Sequence, residues 1–167
     1  MLSDHAVIAH RLVHNRRFVE AVAAYDVLLK DKPERSDLWV NRGVALQAQN
    51  MLDEAVRSYE AAMACDPLSY GAYVNRGIVN GWLGRYEEAM RDYARAIEIE
   101  PTNESARLGR AVILNAMGRL QEAVDDADEA LKLNMSSGDA HYNKSLSLLS
   151  LGRYEEGFRE HEWRFGS

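Results

Sequence analysis

The chain has 167 residues, of which 47% are hydrophobic and 28% charged, and its formal net charge is −6. Three prolines and eleven glycines in such a composition exclude a collagenous or disordered chain. The acidic balance argues against non-specific binding to nucleic-acid phosphates, and the single cysteine, Cys65, excludes an internal disulfide.

The N-terminal stretch MLSDHAVIAHRLVHNRR lacks the basic-then-apolar pattern of a signal peptide. No run approaches the ~18 consecutive apolar residues of a membrane span. A cytoplasmic protein that neither enters membranes nor binds nucleic acid is the expectation.

Read in order, the chain repeats itself. The segment HNRRFVEAVAAYDVL in residues 2–35 returns as QNMLDEAVRSYEAAM in 36–69. It returns again around LGRYEE in 70–103, and as MGRLQEAVDDADEAL in 104–137. A shorter fifth unit, 138–167, carries a second LGRYEE. The two hexapeptides begin at Leu83 and Leu151, 68 residues apart, which is twice a period of 34.

Columns confirm the period. Phe18, Leu52, Tyr86, Leu120 and Tyr154 are bulky, and Ala21, Ala55, Ala89, Ala123 and Gly157 are small. Tyr25, Tyr59 and Tyr93 form a third column that continues as Ala127 and His161. Pro33, Pro67 and Pro101 form a fourth, which drifts to Met135.

Within each unit the period is helical. Trp39, Gly43 and Leu46 recur at i, i+4, i+7, as do Tyr73, Gly77 and Asn80. Leu52, Ala55, Val56, Tyr59, Ala62 and Met63 then make a second amphipathic stripe. The glycine of LGR or MGR supplies the positive φ that ends the first helix. Asp66–Pro67 and Glu100–Pro101 stop the second, because proline disfavours helix in the residue before it. Ala9, Gly43, Gly77, Ala111 and Ser145 permit close backbone approach. A lone hairpin cannot bury such a face, so neighbours must stack.

WVNRGVAL at Trp39–Leu46, followed by Ala55, Tyr59, Ala62 and Pro67, together with the 34-residue period, resembles the tetratricopeptide repeat. The resemblance implies an all-α fold, a right-handed superhelical solenoid of helix-turn-helix hairpins, with residues 1–167 as one domain whose last repeat is incomplete. LGRYEE then marks the inter-helix turn and the start of the second helix, where two carboxylates suit the helix dipole.

Motifs for chemistry are absent: no phosphate-cradling glycine loop, no CxxC and no elbow serine. No enzymatic activity, cofactor or metal is expected. His10 and His14 have a metal-ligand spacing, with His5 nearby, but the glutamate of HExxH and a third ligand are missing. Asp125, Asp126, Asp128 and Glu129 read as a solvated face. Arg11, Arg16 and Arg17 are too few for a nucleic-acid footprint. Cys65 reads as a small buried hydrophobe. Arg42, Arg76 and Arg110 form a column of structural cations, with Asp92 and Asp126 as plausible partners.

The resemblance places the first helices on a concave groove that takes a peptide or protein segment. Its columns hold Asn41, Asn75 and Asn143 with Gly109 between, flanked by Val40, Val74, Leu108 and Tyr142, and by Val44, Ile78 and Val112, with Trp82 beside them. Asparagine amides can pair with any peptide backbone, and the apolar neighbours supply buried area. This is similar to the groove of O-GlcNAc transferases. Co-chaperones of the family clamp a C-terminal carboxylate with lysines, and the matching places here hold Ala6 and His10, which disfavours that role.

The last unit carries Phe158, Trp163 and Phe165, more aromatic surface than a polar capping helix shows. This end is therefore expected to self-associate or to contact another domain. GRYEEGFREHEWRF is similar to the closing repeat of bacterial tetratricopeptide proteins that continue into a glycosyltransferase-like domain. The leading expectation is a non-enzymatic protein-interaction scaffold. The alternative is the recruitment arm of a larger glycosyltransferase-like protein.

Overall fold

The computed structural model describes residues 4–163, which form ten helices and, among the described residues, no strand. Contacts divide the chain into two compact units at Leu83/Gly84. The first holds α1 (Asp4–His14), α2 (Phe18–Asp31), α3 (Ser36–Gln47), α4 (Leu52–Cys65) and α5 (Tyr70–Trp82). The second holds α6 (Tyr86–Ile99), α7 (Glu104–Ala116), α8 (Leu120–Leu133), α9 (Gly138–Ser150) and α10 (Tyr154–Glu162). No helix among the described residues is long and apolar enough to cross a membrane.

The turns form where the glycines stand. Gly84, Gly118 and Gly152 have φ of 72°, 73° and 78°. Behind two of these turns, Arg119 N–H donates to the Leu114 carbonyl and Arg153 N–H to the Leu148 carbonyl, both at 2.9 Å. This is the long closing bond of a Schellman turn. The column has two members that are not glycine, Arg16 at φ 58° and Asn50 at φ 61°. Asparagine visits this region readily, whereas an arginine there is strained by roughly 1 kcal/mol. Arg16→Gly should therefore stabilise the chain by roughly 0.5 kcal/mol after glycine's extra unfolded-state entropy is counted. The expected readout is a melting temperature higher by about 1–2 °C, with Asn50→Gly giving a smaller shift.

The second helices end at Asp31, Cys65, Ile99 and Leu133. Three meet the proline column one residue after the cap. The fourth stops without a proline: Asn134 Oδ1 accepts from Ser136 N–H at 3.2 Å, as Asp66 Oδ1 accepts from Leu68 N–H at 3.0 Å in an earlier unit. A side chain folded onto the backbone two residues on does what the proline ring does elsewhere.

Each helix packs on its sequence neighbours within a unit, and α3 also meets α5, as α7 meets α9. The tyrosine column is the centre of this packing. Tyr25, Tyr59 and Tyr93 are buried, and each buried tyrosine contributes on the order of 4 kcal/mol of gross hydrophobic stabilisation. Gly43 lies directly against the Tyr59 ring, where an added Cβ would stand 2.4 Å from Cε1. Ala55, Val56 and Val79 complete that cluster, while Ala9, Ala21, Leu28, Leu29 and Leu38 surround Tyr25. Tyr59 Oη donates to Gln47 Oε1 at 2.8 Å. The place of Gln47 one period earlier is held by Val13.

Two expectations need correction. Cys65 is exposed, its Sγ 3.3 Å from the Pro33 carbonyl at the end of α4, because the apolar stripe has turned away from the core by the last turn. Asp126 is buried, and Asp128 is half-buried, so the acidic run on α8 is only partly a solvated face. Arg110 forms a bidentate pair with Asp126 at 2.7 and 2.6 Å, which is what allows a carboxylate to sit there.

Candidate functional site

The first helices carry the candidate binding residues, and each unit presents its own face. In the first unit Val40, Asn41 and Val44 on α3 stand beside Val74, Asn75, Ile78 and Trp82 on α5. All are half-buried except Trp82, which is 62% exposed. Spacing of i, i+4 puts Val74, Ile78 and Trp82 on one stripe, and Gly71 keeps the start of α5 open, its missing Cβ 3.9 Å from Val40.

In the second unit Leu108 on α7 and Tyr142 and Asn143 on α9 are half-buried, whereas Val112 and Leu146 are exposed. Ser147 Oγ lies 2.9 Å from both Asn115 Oδ1 and the Asn143 carbonyl, tying α9 to α7. The break in the asparagine column at Gly109 is a packing requirement. A Cβ there would stand 2.4 Å from the Tyr93 ring. Asn41 and Asn75 thus share one unit, and Asn143 belongs to the other.

Two further columns support these faces, and only one was visible beforehand. Trp39 Nε1 donates to the Pro33 carbonyl at 2.8 Å, Tyr73 Oη to Pro67 at 3.4 Å and Arg107 to Pro101 at 3.5 Å. His141 Nε2 faces the Met135 carbonyl at 3.1 Å in the same relation. Four different side chains serve one purpose, which is to fasten the start of each first helix to the preceding loop.

The second column is the cations. Arg42 pairs with Asp26 at 2.7 Å and reaches Ser58 Oγ, Arg76 pairs with Glu60 at 3.5 Å, and Arg110 pairs with Asp126. Lys144 continues it, with Nζ 2.9 Å from Asp128 and 2.7 Å from Glu160. The partners stand 16 residues before or after the cation, the offset that joins a first helix to the second helix on either side.

At the last hairpin these columns merge. His141 Nδ1 lies 2.5 Å from Glu160 Oε2, and the Trp163 ring stacks on the imidazole at 4.2 Å and 11°. Burial pushes the Glu160 carboxyl up, but hydrogen bonds from Lys144 and His141 outweigh it and hold the group below the usual carboxylate range. The cluster floors a cleft of about 890 Å³. Phe158 is 57% exposed, while Phe165 and the side chains of His5 and Ala6 lie outside the described residues. His10 and His14 are exposed, and among the described residues no three His, Cys, Asp or Glu side chains converge on a possible metal site.

The tetratricopeptide repeat profile matches residues 70–103, and a second tetratricopeptide repeat profile matches 7–70 and 108–161. These matches span well over half of the sequence, and the chain belongs to the tetratricopeptide repeat family. Among solved structures, MamA superposes with a TM-score of 0.85 at 18% identity, over 95% of this chain and 92% of that one. MamA 41-end from Desulfovibrio magneticus RS-1 gives 0.87 at 13% identity, over 99% and 96%. YrrB, a tetratricopeptide protein with an unusual peptide-binding site, gives 0.77 at 19% identity, over 99% and 85%. At these identities the likeness is one of fold. No curated protein matches the sequence significantly. The reading as the arm of a glycosyltransferase-like protein finds no support in these matches.

Proposed function

We propose that the chain is a non-enzymatic interaction scaffold that holds an extended peptide or protein segment on the faces of its first helices. The observation that carries this reading is the face of α3 and α5. Asn41 and Asn75 offer backbone-pairing amides beside the half-buried Val40, Val44, Val74 and Ile78, and Trp82 stands exposed at the rim. Leu108, Val112, Tyr142 and Asn143 repeat that mixture on α7 and α9. A surface of amides and aliphatic groups binds main chain through hydrogen bonds and gains affinity by burying apolar side chains. YrrB, of the same fold, is described by its peptide-binding site, which agrees with such a use. In this reading the chain performs no chemistry of its own and works in the cytoplasm.

The test is to pan a random 12-residue peptide display library against the wild-type protein and to measure the selected peptides on Asn75→Ala/Trp82→Ala. Selected peptides should bind the double variant at least ten-fold more weakly, a loss of about 1.4 kcal/mol. No enrichment, or equal affinity for both proteins, would sink the reading.

A further inference from the structure

Charge is sorted between the two kinds of helix. Charged residues make up 28% of the chain. Helices α6 and α8 carry six each, whereas α3 carries two and α5 one. The cations that the first helices do carry are committed elsewhere. Arg42 follows Asn41 in sequence, yet it bonds to Asp26 of α2 and Ser58 of α4. Arg76, which follows Asn75, pairs with Glu60 of α4. In the second unit Arg110 pairs with Asp126 of α8, and Lys144, which follows Asn143, with Asp128 of α8 and Glu160 of α10. One step along a helix turns a side chain by about 100°. That is enough to separate an amide on the first-helix face from a cation drawn to the second helices.

The remaining charges on these helices lie in their first turns. Glu104 accepts from Asn134 and Ser137, and Arg107 donates to the Pro101 carbonyl. Asp37 is bonded to Arg35 at 2.7 and 2.5 Å, and Asp139 is exposed. These two stand one turn before Asn41 and Asn143, at the edge of each face. The column of Val44 and Ile78 begins on α1 with His10, which is exposed. Beyond those edges the face of α3 and α5 is amide and hydrocarbon: Asn41 and Asn75 among Val40, Val44, Val74 and Ile78. A side chain laid on it gives up water. An uncharged one gains from the apolar neighbours, whereas an ionised one meets no counter-charge there.

We propose that the first-helix faces take a partner segment whose contacting side chains are uncharged, and that they reject charged segments through lost hydration. This rests on the reading of these faces as the binding surface. The net charge of −6 alone would disfavour acidic segments and favour basic ones, but the faces disfavour both signs. In an extended segment alternate side chains meet the face. The partner's signature is therefore an uncharged residue at every second position, with charges tolerated between.

The test takes the peptides selected on wild type that lose affinity on Asn75→Ala/Trp82→Ala. Replacing their residues singly by Lys and by Glu should weaken binding roughly ten-fold or more at alternate positions, alike for both signs. Affinity of the parent peptides should change less than about two-fold between about 0.05 and about 0.5 M sodium chloride. Panning on Ile78→Glu, checked for folding by circular dichroism, should instead enrich peptides bearing Lys or Arg; Val44→Glu serves if that variant does not fold. Parent peptides that depend on a charged residue, affinity that falls steeply with salt, Lys accepted where Glu is not, or a folded glutamate variant that enriches the wild-type peptides would each overturn the proposal. Any of these would leave the faces standing as a binding surface. No enrichment on wild type would remove that surface, and the proposal with it.

Discussion

Gly43→Val is expected to destabilise the protein by about 3 kcal/mol, near the upper end of the range for overpacked cores. The new side chain begins 2.4 Å from Tyr59 Cε1 and 2.8 Å from Cδ1 and Cζ. Those atoms cannot yield cheaply, because the ring is fully buried and its hydroxyl is bonded to Gln47. Moving it would break that bond and open space beside Ala55 and Val79. Gly43→Ala should cost less. The Ala9 and Tyr25 pair shows that a hairpin of this fold accommodates a methyl at the corresponding place, and alanine recovers up to roughly 1 kcal/mol of helix propensity. Thermal unfolding would report the valine variant as a drop of roughly 6–12 °C. A melting temperature unchanged within a degree would mean that the α3–α4 hairpin is not packed through this contact.

Glu160→Gln is expected to cost about 2–3 kcal/mol at neutral pH, somewhat less than breaking a fully buried ion pair because the side chain keeps some access to water. The substitution leaves Lys144 with Asp128 alone and removes the charged acceptor from His141. The pH dependence has a definite sign. The folded carboxyl titrates below its ordinary value of 4.5. Its contribution is therefore complete above that value and is lost as pH falls through the lower folded one. The Lys144 ammonium, which burial lowers but its carboxylate partners raise further, stays charged throughout this range. Melting curves of wild type and variant should lie roughly 4–12 °C apart at pH 7 and begin to converge only as pH falls below about 4.5. A gap that persists at low pH would show that Glu160 acts by shape and not by charge. Because Trp163 stacks on His141, its fluorescence should change in the variant as well.

Much of the candidate site could be read beforehand, since first-helix positions repeat every 34 residues and so name their own columns. Val74, Asn75, Ile78 and Trp82 fall on one helix as expected, and Trp82 stands exposed. The fastening of Trp39, Tyr73, Arg107 and His141 to the loop carbonyls was not legible. Its column shares no side-chain type, only the ability to donate a hydrogen bond. A search for recurring residues passes over a recurring role.

The sequence by itself determined the period, the hairpins and the places where they turn. These follow from local rules that act along the chain: glycine at positive φ, proline after a helix end, and small residues opposite tyrosines. Asn134 kept the stop without the proline, and Arg16 kept the turn without the glycine, at the cost of strain. Only the tertiary structure decided which charges are buried and what they meet. Asp126 and Asp125 are neighbours on one helix, yet Asp126 is buried against Arg110 while Asp125 faces water. Cys65 left the core by the rotation of a last helical turn. Charge pairs form between helices at an offset of 16 residues, and that offset exists only once the hairpins have closed and stacked.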